Sequence, residues 1–558
     1  MDISPAERNP PSARPPAPRV TVVVIGYNDA AHVADAVRSA LAQGPVVGEV
    51  IAVDDCSTDG SPAVLRGLAA ADPRVRVVRR AANSGGCGAP RNDGVDAASC
   101  AYVTFLDSDD VLAPGAAEVL VAAAERHGAD VASGLCVRRE LPSGRDQPWQ
   151  PELYRRPALV PRPELRPRLV RDTLCVGKVY RTDFLRAHAV RFPEGRFVYE
   201  DFVFGARVLA AAPRVALVPD PVYVWHVRRA AAKLSISLDR AGITNWEARL
   251  AAHRQAVDVL RAAGGSGGTA LARAARATFL DHSLRMYARE LPARGPAYQR
   301  RWWQLTRAYL AEFDAADLEA APAPGRVIAR VLLAAAHPRD LARLQQVAAR
   351  PARLAPPYAR AADATPVWAE DLPQVTLDHL LHRPLRLLPL AVDAELRPRA
   401  GVLRLRLHEL YGRVAEAGPA VVDVGFAPRR GGRPQLRRTA VLNTETPGET
   451  WAAEVRLDLG ALDGDVFDLR VRLLFTDGTS RATTARAVAG PGLLRRTALP
   501  HARHGVLLVQ PYATGAGNLA VRLAPGARGV AEVARRRLTR LARTLRPRGT
   551  PRTGENAR

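Results

Sequence analysis

Lysine is almost absent from this chain of 558 residues. Only Lys178 and Lys233 are lysines, so arginine supplies 78 of the 80 cationic side chains behind the net charge of +24. This bias, together with abundant Ala, Pro and Gly, is typical of a GC-rich genome. Composition therefore explains much of the positive charge, which does not by itself indicate a nucleic-acid-binding protein.

The N-terminal part of the chain also has little net positive charge. Residues 1–240 carry 31 basic and 28 acidic side chains, a net charge of +3, whereas residues 528–558 carry +8. No helix-turn-helix, RRM or KH signature is present. These observations argue against nucleic acid as a partner, and they place the densest charge in a C-terminal tail.

Cysteines and long apolar runs are scarce as well. The five cysteines are odd in number and form no CxxC pair, which excludes a disulfide framework and suits a reducing compartment. No run of about 18 apolar residues exists, so no transmembrane helix is expected. The Pro-rich segment 1–18 lacks the apolar core of a signal peptide, and we expect it to be disordered. We therefore expect a cytoplasmic protein.

Hydrophobic periodicity divides the rest of the chain into segments of different character. Early β-branched runs such as Val20–Ile25 alternate with helical spacing, which predicts an α/β layer with a mainly parallel sheet. Later the period changes to two, as in Leu403, Leu405 and Leu407, which predicts a sandwich. In order, we predict an α/β domain, a helical region, a linker, a β-sandwich and a basic amphipathic tail over residues 19–240, 241–350, 351–371, 372–527 and 528–558.

Acidic and small polar residues follow three of the predicted strands. The stretches are Gly26–Asp29, Asp54–Gly60 and Asp107–Asp110, with a Gly-rich loop at Asn83–Gly94. Ligands of an open α/β sheet bind beyond the carboxyl ends of its strands. An Asp pair after a strand is also a common N-cap and turn. The Asp-Ser-Asp-Asp cluster is different, because its acids repel one another unless a cation or donors neutralise them; oxygen ligands suit Mg²⁺ or Mn²⁺.

These pieces together resemble the inverting glycosyltransferases of family 2, which have the GT-A fold, a Rossmann-like nucleotide-sugar domain. The matching stretches are VTVVVIGYNDAAHVADAVRSAL, EVIAVDDCSTDGS, NSGGCGAPRNDG, YVTFLDSDD and VGKVYR…FPEGRFVYEDFVF. Two positions depart from the usual pattern: Ile25 stands where Pro is usual, and Cys56 where Gly is usual. Neither departure removes an acidic residue.

The resemblance implies roles for the residues that follow the strands. Tyr27 and Asp54 would contact the nucleobase, with Asn83 and Arg91 nearby. Asp107 would touch the ribose as the first acid of a DxD motif.

For the chemical step, the resemblance implies that Asp107 and Asp109 hold the metal, Mn²⁺ or Mg²⁺. It makes Asp201 the catalytic base, with Glu200 orienting it or binding the acceptor. Sugar transfer needs a base for the acceptor hydroxyl and charge stabilisation on the departing nucleoside diphosphate. A single base on the face opposite the leaving group implies inversion. The alternative for Glu200 and Asp201 is a solvated helix start.

The two lysines support a binding site near the end of this domain. An ammonium differs chemically from a guanidinium, so we expect Lys178 or Lys233 to contact a phosphate or an acceptor oxygen; chance is the alternative. His226, Arg229 and Ser235 lie in a similar basic stretch that could close over the diphosphate. His226 is either a third metal ligand or a packed ring.

The order of domains resembles that of poly(ribitol-phosphate)-type wall-teichoic-acid glycosyltransferases, in which the C-terminal β domain mediates oligomerisation. The resemblance implies a homo-oligomer, although the apolar strand faces could instead pack only against each other. The basic C-terminal half would attract a polyanionic or lipid-linked glycan acceptor. The tail would contact anionic lipid at the inner face of the cell membrane, or remain solvated.

The leading interpretation is thus a metal-dependent transferase that takes a sugar from a nucleoside diphosphate sugar. The resemblance favours UDP, because it is the usual nucleotide in this family. A runner-up interpretation changes the acceptor to a capsule, an exopolysaccharide or a lipid-linked glycan. A different class, a non-catalytic glycan-binding scaffold, is disfavoured because Asp107, Asp109 and Asp201 are all present.

Overall fold

The computed structural model describes residues 19–228, 239–429, 431–488 and 493–526, which fall into two compact units. The first unit holds the described residues up to Leu280 together with Ala308–Pro322, and the second holds Asp281–Arg307 and the described residues from Ala323 onwards. The helices of 241–350 are therefore shared between the units. The predicted N-terminal segment 1–18 and basic tail 528–558 lie outside the described residues.

The first unit is built on a ten-stranded sheet, and the predicted α/β fold is confirmed. Its central strands run in the order β3-β2-β1-β4 and are parallel; the far half, β9-β6-β10-β5, mixes parallel and antiparallel pairs, with β7 and β8 attached to β6 and β10. In chain order, β1 to β10 are Val20–Gly26, Val47–Asp54, Val75–Arg79, Tyr102–Asp107, Val111–Leu112, Val131–Glu140, Arg145–Pro148, Ala158–Val160, Lys178–Arg181 and Val215–Val227.

Helices follow most of these strands. The β1 side chains from Val20 to Ile25 are buried, as expected for a strand covered on both faces. The helices α1 to α6 are Val33–Leu41, Ser61–Ala71, Gly88–Ala97, Ala116–His127, Thr182–Ala187 and Glu200–Ala210. Of the later helices, α7, α8 and α11 lie in the first unit and span Thr244–Ala262, Gly265–Thr278 and Ala315–Ala320.

Helix α3 begins at Gly88, inside the Gly-rich stretch of the sequence. Two close approaches explain why glycines occupy this helix. A Cβ at Gly94 would lie 2.2 Å from a methyl carbon of Val23, and one at Gly88 would lie 2.0 Å from the carbonyl oxygen of Pro193. The helix therefore sits directly on β1 and against the segment that leads to α6, which buries Arg91 between them.

The second unit consists of helices and two β-sheets, so the predicted all-β C-terminal region is confirmed. Its sheets have the strand orders β15-β16-β12-β11-β19 and β14-β13-β17-β22-β21-β20, with β18 paired to β17. Leu403, Leu405 and Leu407 are buried as the period of two predicts. Strands β11 to β22 are Val392–Arg397, Val402–His408, Pro419–Pro428, Gln435–Val441, Asn443–Thr446, Thr450–Arg456, Val466–Phe475, Ser480–Thr483, Arg486–Ala487, Thr497–His501, Gly505–Ala513 and Leu519–Pro525.

The remaining helices complete the second unit. Helix α10, Pro296–Leu310, ends with three residues that belong to the first unit. Within the described ranges, no helix combines the length and the apolar character needed to cross a membrane. A π-helical turn spans Phe279–Leu284, and α9, α12, α13 and α14 are Arg285–Ala288, Ala323–Ala334, Leu341–Ala348 and Arg413–Ala417.

Candidate active site

The carboxyl ends of β1, β2 and β4 meet at one edge of the sheet. In the parallel register Gly26 pairs with Asp54, and Ile25 pairs with Asp107. The acids that follow separate strands in the sequence are therefore neighbours in space. This is the position at which an open α/β sheet binds its ligand.

Asp54 offers a buried hydrogen-bond acceptor at this edge. Its side chain is about 1% exposed, and its Oδ2 accepts from the Ser57 amide at 3.3 Å and lies 3.3 Å from Arg79 Nε. Its Oδ1 is buried without a partner among the described residues. A buried acceptor left unpaired is costly, so it points to a donor supplied by a ligand. Tyr27, directly after Gly26, is 44% exposed at the same edge.

Asn83 is an exposed residue whose side-chain amide is bound to Asp55. Its Nδ2 donates to the carbonyl oxygen of Asp55 at 3.0 Å and to its carboxylate at 2.9 Å. The same carboxylate accepts from the amide and the hydroxyl of Ser84. The start of the Gly-rich loop is thus tied to the end of β2. Cys56, which stands where Gly is usual, has a φ of +62°, in the left-handed region that favours glycine.

Arg91 joins the two acidic motifs. Its guanidinium donates to Asp107 Oδ1 at 2.7 Å and to Glu200 Oε1 at 2.5 Å, and it lies 5.3 Å from the centre of the Phe192 ring. The side chain is only 4% exposed. A buried guanidinium fork between two carboxylates fixes both in orientation. The structure therefore places Arg91 between the strand end and α6.

Asp201 stands in the first turn of α6 next to Glu200. Burial and the neighbouring charge of Glu200 raise the pKa of Asp201 to about 7. No other described side chain forms a hydrogen bond with its carboxylate. A partly accessible, unpaired carboxylate with a pKa near neutrality has the properties of a general base.

Residues in β10 and directly after it bind the Asp109–Asp110 turn. The carbonyl oxygen and the carboxylate of Asp109 accept from Arg228 at 3.0 and 3.2 Å. Burial and the charge of Asp107 raise the pKa of Asp109 to about 6. Asp110 is buried, where its carboxylate accepts from the Tyr223 hydroxyl at 2.8 Å and from the backbone amide of His226 at 2.7 Å.

Two carboxylates are available to a divalent cation at this turn. The side chains of Asp107 and Asp109 are 36% and 43% exposed. Across the described ranges, no group of three or more His, Cys, Asp or Glu side chains is arranged to hold a metal. Mg²⁺ is commonly held by one or two carboxylates, with phosphates and water completing its shell. The pair therefore fits an ion that binds together with a diphosphate. His226 Nδ1 lies 3.0 Å from the carbonyl oxygen of Asp109, and burial lowers the pKa of the ring.

Of the remaining predicted residues, one is engaged in an ion pair and the others lie outside the described ranges. Lys178 forms a buried ion pair with Asp172 at 2.7 Å. Asp172 also accepts from Trp149 Nε1 at 3.1 Å and from the Tyr154 hydroxyl. In the structure the ammonium of Lys178 is thus engaged by protein groups. Arg229, Lys233 and Ser235 lie outside the described residues.

Tyr223 is a site residue that the sequence did not indicate. Its hydroxyl accepts from the Asp107 amide at 3.3 Å and donates to Asp110, so one group holds both ends of the Asp107–Asp110 turn. The side chain is fully buried. It lies 116 residues after Asp107, and nothing in its local sequence distinguishes it from a core tyrosine.

Replacing Tyr223 with phenylalanine is expected to lower the free energy of unfolding by about 1–3 kcal/mol, because a buried carboxyl loses its donor. Tyr180→Phe is a matched control: its buried hydroxyl donates to the neutral carbonyl of Cys175 at 2.9 Å. A loss of only about 0.5–1.5 kcal/mol is expected there. Chemical denaturation measures both. Equal losses would show that the Tyr223–Asp110 bond has no special importance.

Comparison with known proteins agrees with this geometry. A family model described as Glycosyl transferase family 2 matches residues 21–187. Succinoglycan biosynthesis protein ExoO of Rhizobium meliloti is 35% identical over 242 residues, which cover 41% of this chain and 67% of that protein. Poly(ribitol-phosphate) beta-N-acetylglucosaminyltransferase TarS of Staphylococcus aureus is 28% identical over 213 residues, 38% of this chain and only 36% of TarS.

The crystal structure of Staphylococcus aureus TarS is similar over most of the chain. It matches with a TM-score of 0.52 and 17% sequence identity, over 91% of this chain and 85% of that one. At this identity the similarity concerns the fold, including the C-terminal β-sheets. The match to the family model, by contrast, lies in the part that carries the acidic strand ends. The chain therefore belongs to glycosyltransferase family 2.

Proposed function

We propose that the protein is an inverting, metal-dependent glycosyltransferase. It moves a sugar from a nucleoside diphosphate sugar, with UDP as the nucleotide, to a hydroxyl of a cell-envelope polymer such as teichoic acid. The observation that carries the proposal is the chain of contacts from Asp107 through Arg91 to Glu200. It lies next to the carboxyl of Asp201, to which no described side chain is hydrogen-bonded. It joins a nucleotide-binding strand end to a general base.

The nucleotide preference follows from Asp54. Uracil presents an N–H donor between two carbonyl groups. A buried carboxylate oxygen that lacks a partner complements that donor, and Asp54 Oδ1 has none among the described residues. The exposed ring of Tyr27 lies beside it, where it can stack on a base.

In the chemical step, Asp201 removes the proton of the acceptor hydroxyl as the oxygen attacks the anomeric carbon. Attack by a single activated hydroxyl opposite the leaving group inverts the anomeric configuration, with no covalent intermediate. Arg91 donates to the Glu200 carboxylate at 2.5 Å, whereas the carboxylate of Asp201 receives no hydrogen bond from a described side chain and stays open to the acceptor. Asp107 and Asp109 would hold Mg²⁺ or Mn²⁺, which supplies charge stabilisation on the departing diphosphate.

A pH dependence follows from the position of Asp201. The base acts in its ionised form, and its pKa of about 7 lies far above the usual aspartate value. We expect kcat to fall about tenfold for each pH unit below 7 and to level off above it. Initial rates of nucleotide release between pH 5 and 9 measure this acidic limb of the pH–rate profile, the range in which kcat falls. A limb near pH 4 would mean that a group other than Asp201 is the base.

The acceptor proposal rests on relatives and on charge. Besides TarS, poly(ribitol-phosphate) beta-glucosyltransferase of Bacillus spizizenii is 27% identical over 224 residues, which cover 34% of that protein. A basic chain attracts a polyanionic polymer. ExoO supports a second candidate, a transferase acting on an exopolysaccharide or a lipid-linked glycan. The arrangement around Asp201 does not favour the alternative of a non-catalytic glycan-binding scaffold.

Location and assembly are part of the same proposal. We place the enzyme in the cytoplasm, with peripheral contact at the inner face of the membrane through residues 528–558. We also infer a homo-oligomer formed through the β-sheets of the second unit. Val441, Leu494 and Val506 in this unit are large apolar residues that are 62%, 65% and 42% exposed. We take these three side chains as the candidates for the interface.

Sedimentation tests the oligomer directly. The full chain is expected to sediment as an oligomer, and replacing Val441, Leu494 and Val506 with serine is expected to shift it toward the monomer, because each change removes apolar contact area. Serine at Leu165, which is 61% exposed in the first unit, is the matched control. A wild-type monomer at all concentrations would contradict the proposal.

The transferase activity itself is tested with a panel of nucleotide sugars. Each donor is incubated with the protein, Mn²⁺ or Mg²⁺, and poly(ribitol phosphate) or a neutral glucan, and nucleotide release is measured. We expect UDP-sugars to be used and poly(ribitol phosphate) to stimulate release. Release stimulated only by the neutral glucan would favour the exopolysaccharide candidate.

A further inference from the structure

The residue immediately before the Glu200–Asp201 pair has an unusual backbone conformation. Tyr199 has φ +68° and ψ +37°, in the left-handed region, although it is neither Gly nor Asn. Its carbonyl oxygen accepts from the Phe202 amide at 3.1 Å, which begins the first turn of α6. A bulky residue keeps this conformation only where its surroundings enforce it, and such residues concentrate at functional sites.

Helix α7 supplies those surroundings. The Tyr199 hydroxyl donates to Asn245 Oδ1 at 2.8 Å. One turn further along α7, the guanidinium of Arg249 lies 4.6 Å from the centre of the Tyr199 ring and 5.1 Å from that of Phe202. The two rings are 5.3 Å apart. We call Tyr199, Phe202, Asn245 and Arg249 the α7 clamp.

The contact between Tyr199 and Arg249 is buried and supported by the core. Tyr199 is 8% exposed and Arg249 is 7% exposed, so the cation lies against the rings with little competing water. On the same helix Trp246 and Leu250 are buried in the core, which fixes where Asn245 and Arg249 stand. Asn245 and Arg249 are four residues apart and therefore share one face of α7.

The two acids between the clamped rings are held differently. Glu200 is fixed by Arg91, whereas no described side chain hydrogen-bonds to the carboxylate of Asp201. The orientation of Asp201 is therefore set by its backbone, and that backbone is fixed by Tyr199 on one side and Phe202 on the other. A base that must stay open to its acceptor cannot be oriented through its own carboxylate without losing accessibility.

We propose that Tyr199, Asn245 and Arg249 are positioning residues that hold Asp201 in its reactive orientation. This inference rests on the proposed role of Asp201 as the general base. Small displacements of a base reduce the rate of the chemical step much more than they reduce donor binding, which takes place at the other strand ends. The α7 clamp should accordingly affect kcat and leave the nucleotide site unchanged.

Tyr199→Gly tests the proposal, because glycine accepts the left-handed conformation and lacks the clamped ring. We expect kcat to fall about tenfold to a hundredfold, with KM for the donor and Kd for UDP unchanged within about twofold. Tyr199→Phe and Asn245→Ala each remove the same hydrogen bond, so their double variant should be no slower than the slower single variant.

Tyr309→Phe is the matched control. Tyr309 is a buried tyrosine of the same unit whose hydroxyl is hydrogen-bonded to His253 at 2.6 Å, with no contact to Glu200 or Asp201. It should lose stability while keeping kcat. A Tyr199→Gly enzyme with wild-type kcat, or with donor Kd rising in proportion to the loss of kcat, would overturn the proposal.

Hydrogen exchange separates this inference from the proposed function. In Tyr199→Gly we expect amides in the first turn of α6 to exchange at least about tenfold faster than in wild type, and in Tyr309→Phe at the wild-type rate. If wild-type protein transfers no sugar from any donor, the proposed function fails. Hydrogen exchange still shows whether the α7 clamp fixes the backbone around Asp201. Unchanged exchange at Phe202 in Tyr199→Gly would refute it.

Discussion

Asp201→Asn is expected to lower kcat about 10²–10⁴-fold while the protein still binds UDP with wild-type affinity. Asparagine has nearly the same shape but cannot accept the proton of the acceptor hydroxyl. Asp54 and Asp107, which we propose to bind the nucleotide, end strands of the sheet, whereas Asp201 is in α6. They therefore keep their positions. Steady-state nucleotide release gives kcat, and calorimetric titration gives the affinity for UDP.

The same substitution is expected to stabilise the fold above neutral pH. A carboxyl whose pKa is higher in the folded than in the unfolded protein weakens the folded state once it ionises, and the pKa of Asp201 is raised in this way. Removing the acid removes that cost, so Tm at pH 8 should rise. Asp183→Asn, an exposed acid in the first turn of α5, is the matched control with unchanged kcat and Tm. A fully active Asp201→Asn enzyme would remove the base assignment.

Arg91→Met is expected to cost about 3–5 kcal/mol of unfolding free energy and nearly all activity. The substitution keeps the apolar stem but leaves Glu200 buried without its cation, and it releases Asp107 from its orientation. The unpaired charge of Glu200 would also raise the pKa of Asp201 further, because Arg91 lowers it in the wild type. In any residual activity the acidic limb should therefore move to higher pH.

Arg276→Met provides the control for Arg91. Arg276 is another buried arginine of the same unit, and it pairs with Asp317 away from the strand ends. Its loss should destabilise the protein comparably but leave kcat and the pH profile of the folded fraction unchanged. If Arg91→Met behaved like Arg276→Met, Arg91 would be structural only.

The strand ends could be predicted from the sequence because their signals are local. A β-branched run followed by acids indicates both the strand and the place where it ends, and parallel pairing then brings Asp54 and Asp107 to one edge. The period of two predicted the burial of Leu403, Leu405 and Leu407 in the same way. Both depend on neighbours within a few residues.

The role of Arg91 could not be predicted because it depends on contacts across the chain. Its partners lie 16 and 109 residues away, and the motif suggested only that it is near the nucleobase. The same holds for Tyr223 and for Tyr199, whose left-handed backbone has no signature in its side chain. In each case tertiary packing, here of α3, β10 and α7, decides what a side chain touches.

The anomeric configuration of the product tests the single-base mechanism most directly. A UDP-sugar with an α-linked sugar is incubated with the full chain and its acceptor, and the anomeric configuration of the transferred sugar is determined by NMR. Transfer with one base, Asp201, and no covalent intermediate predicts a β-linked product, which Asp201→Asn forms about 10²–10⁴-fold more slowly. An α-linked product would contradict that mechanism.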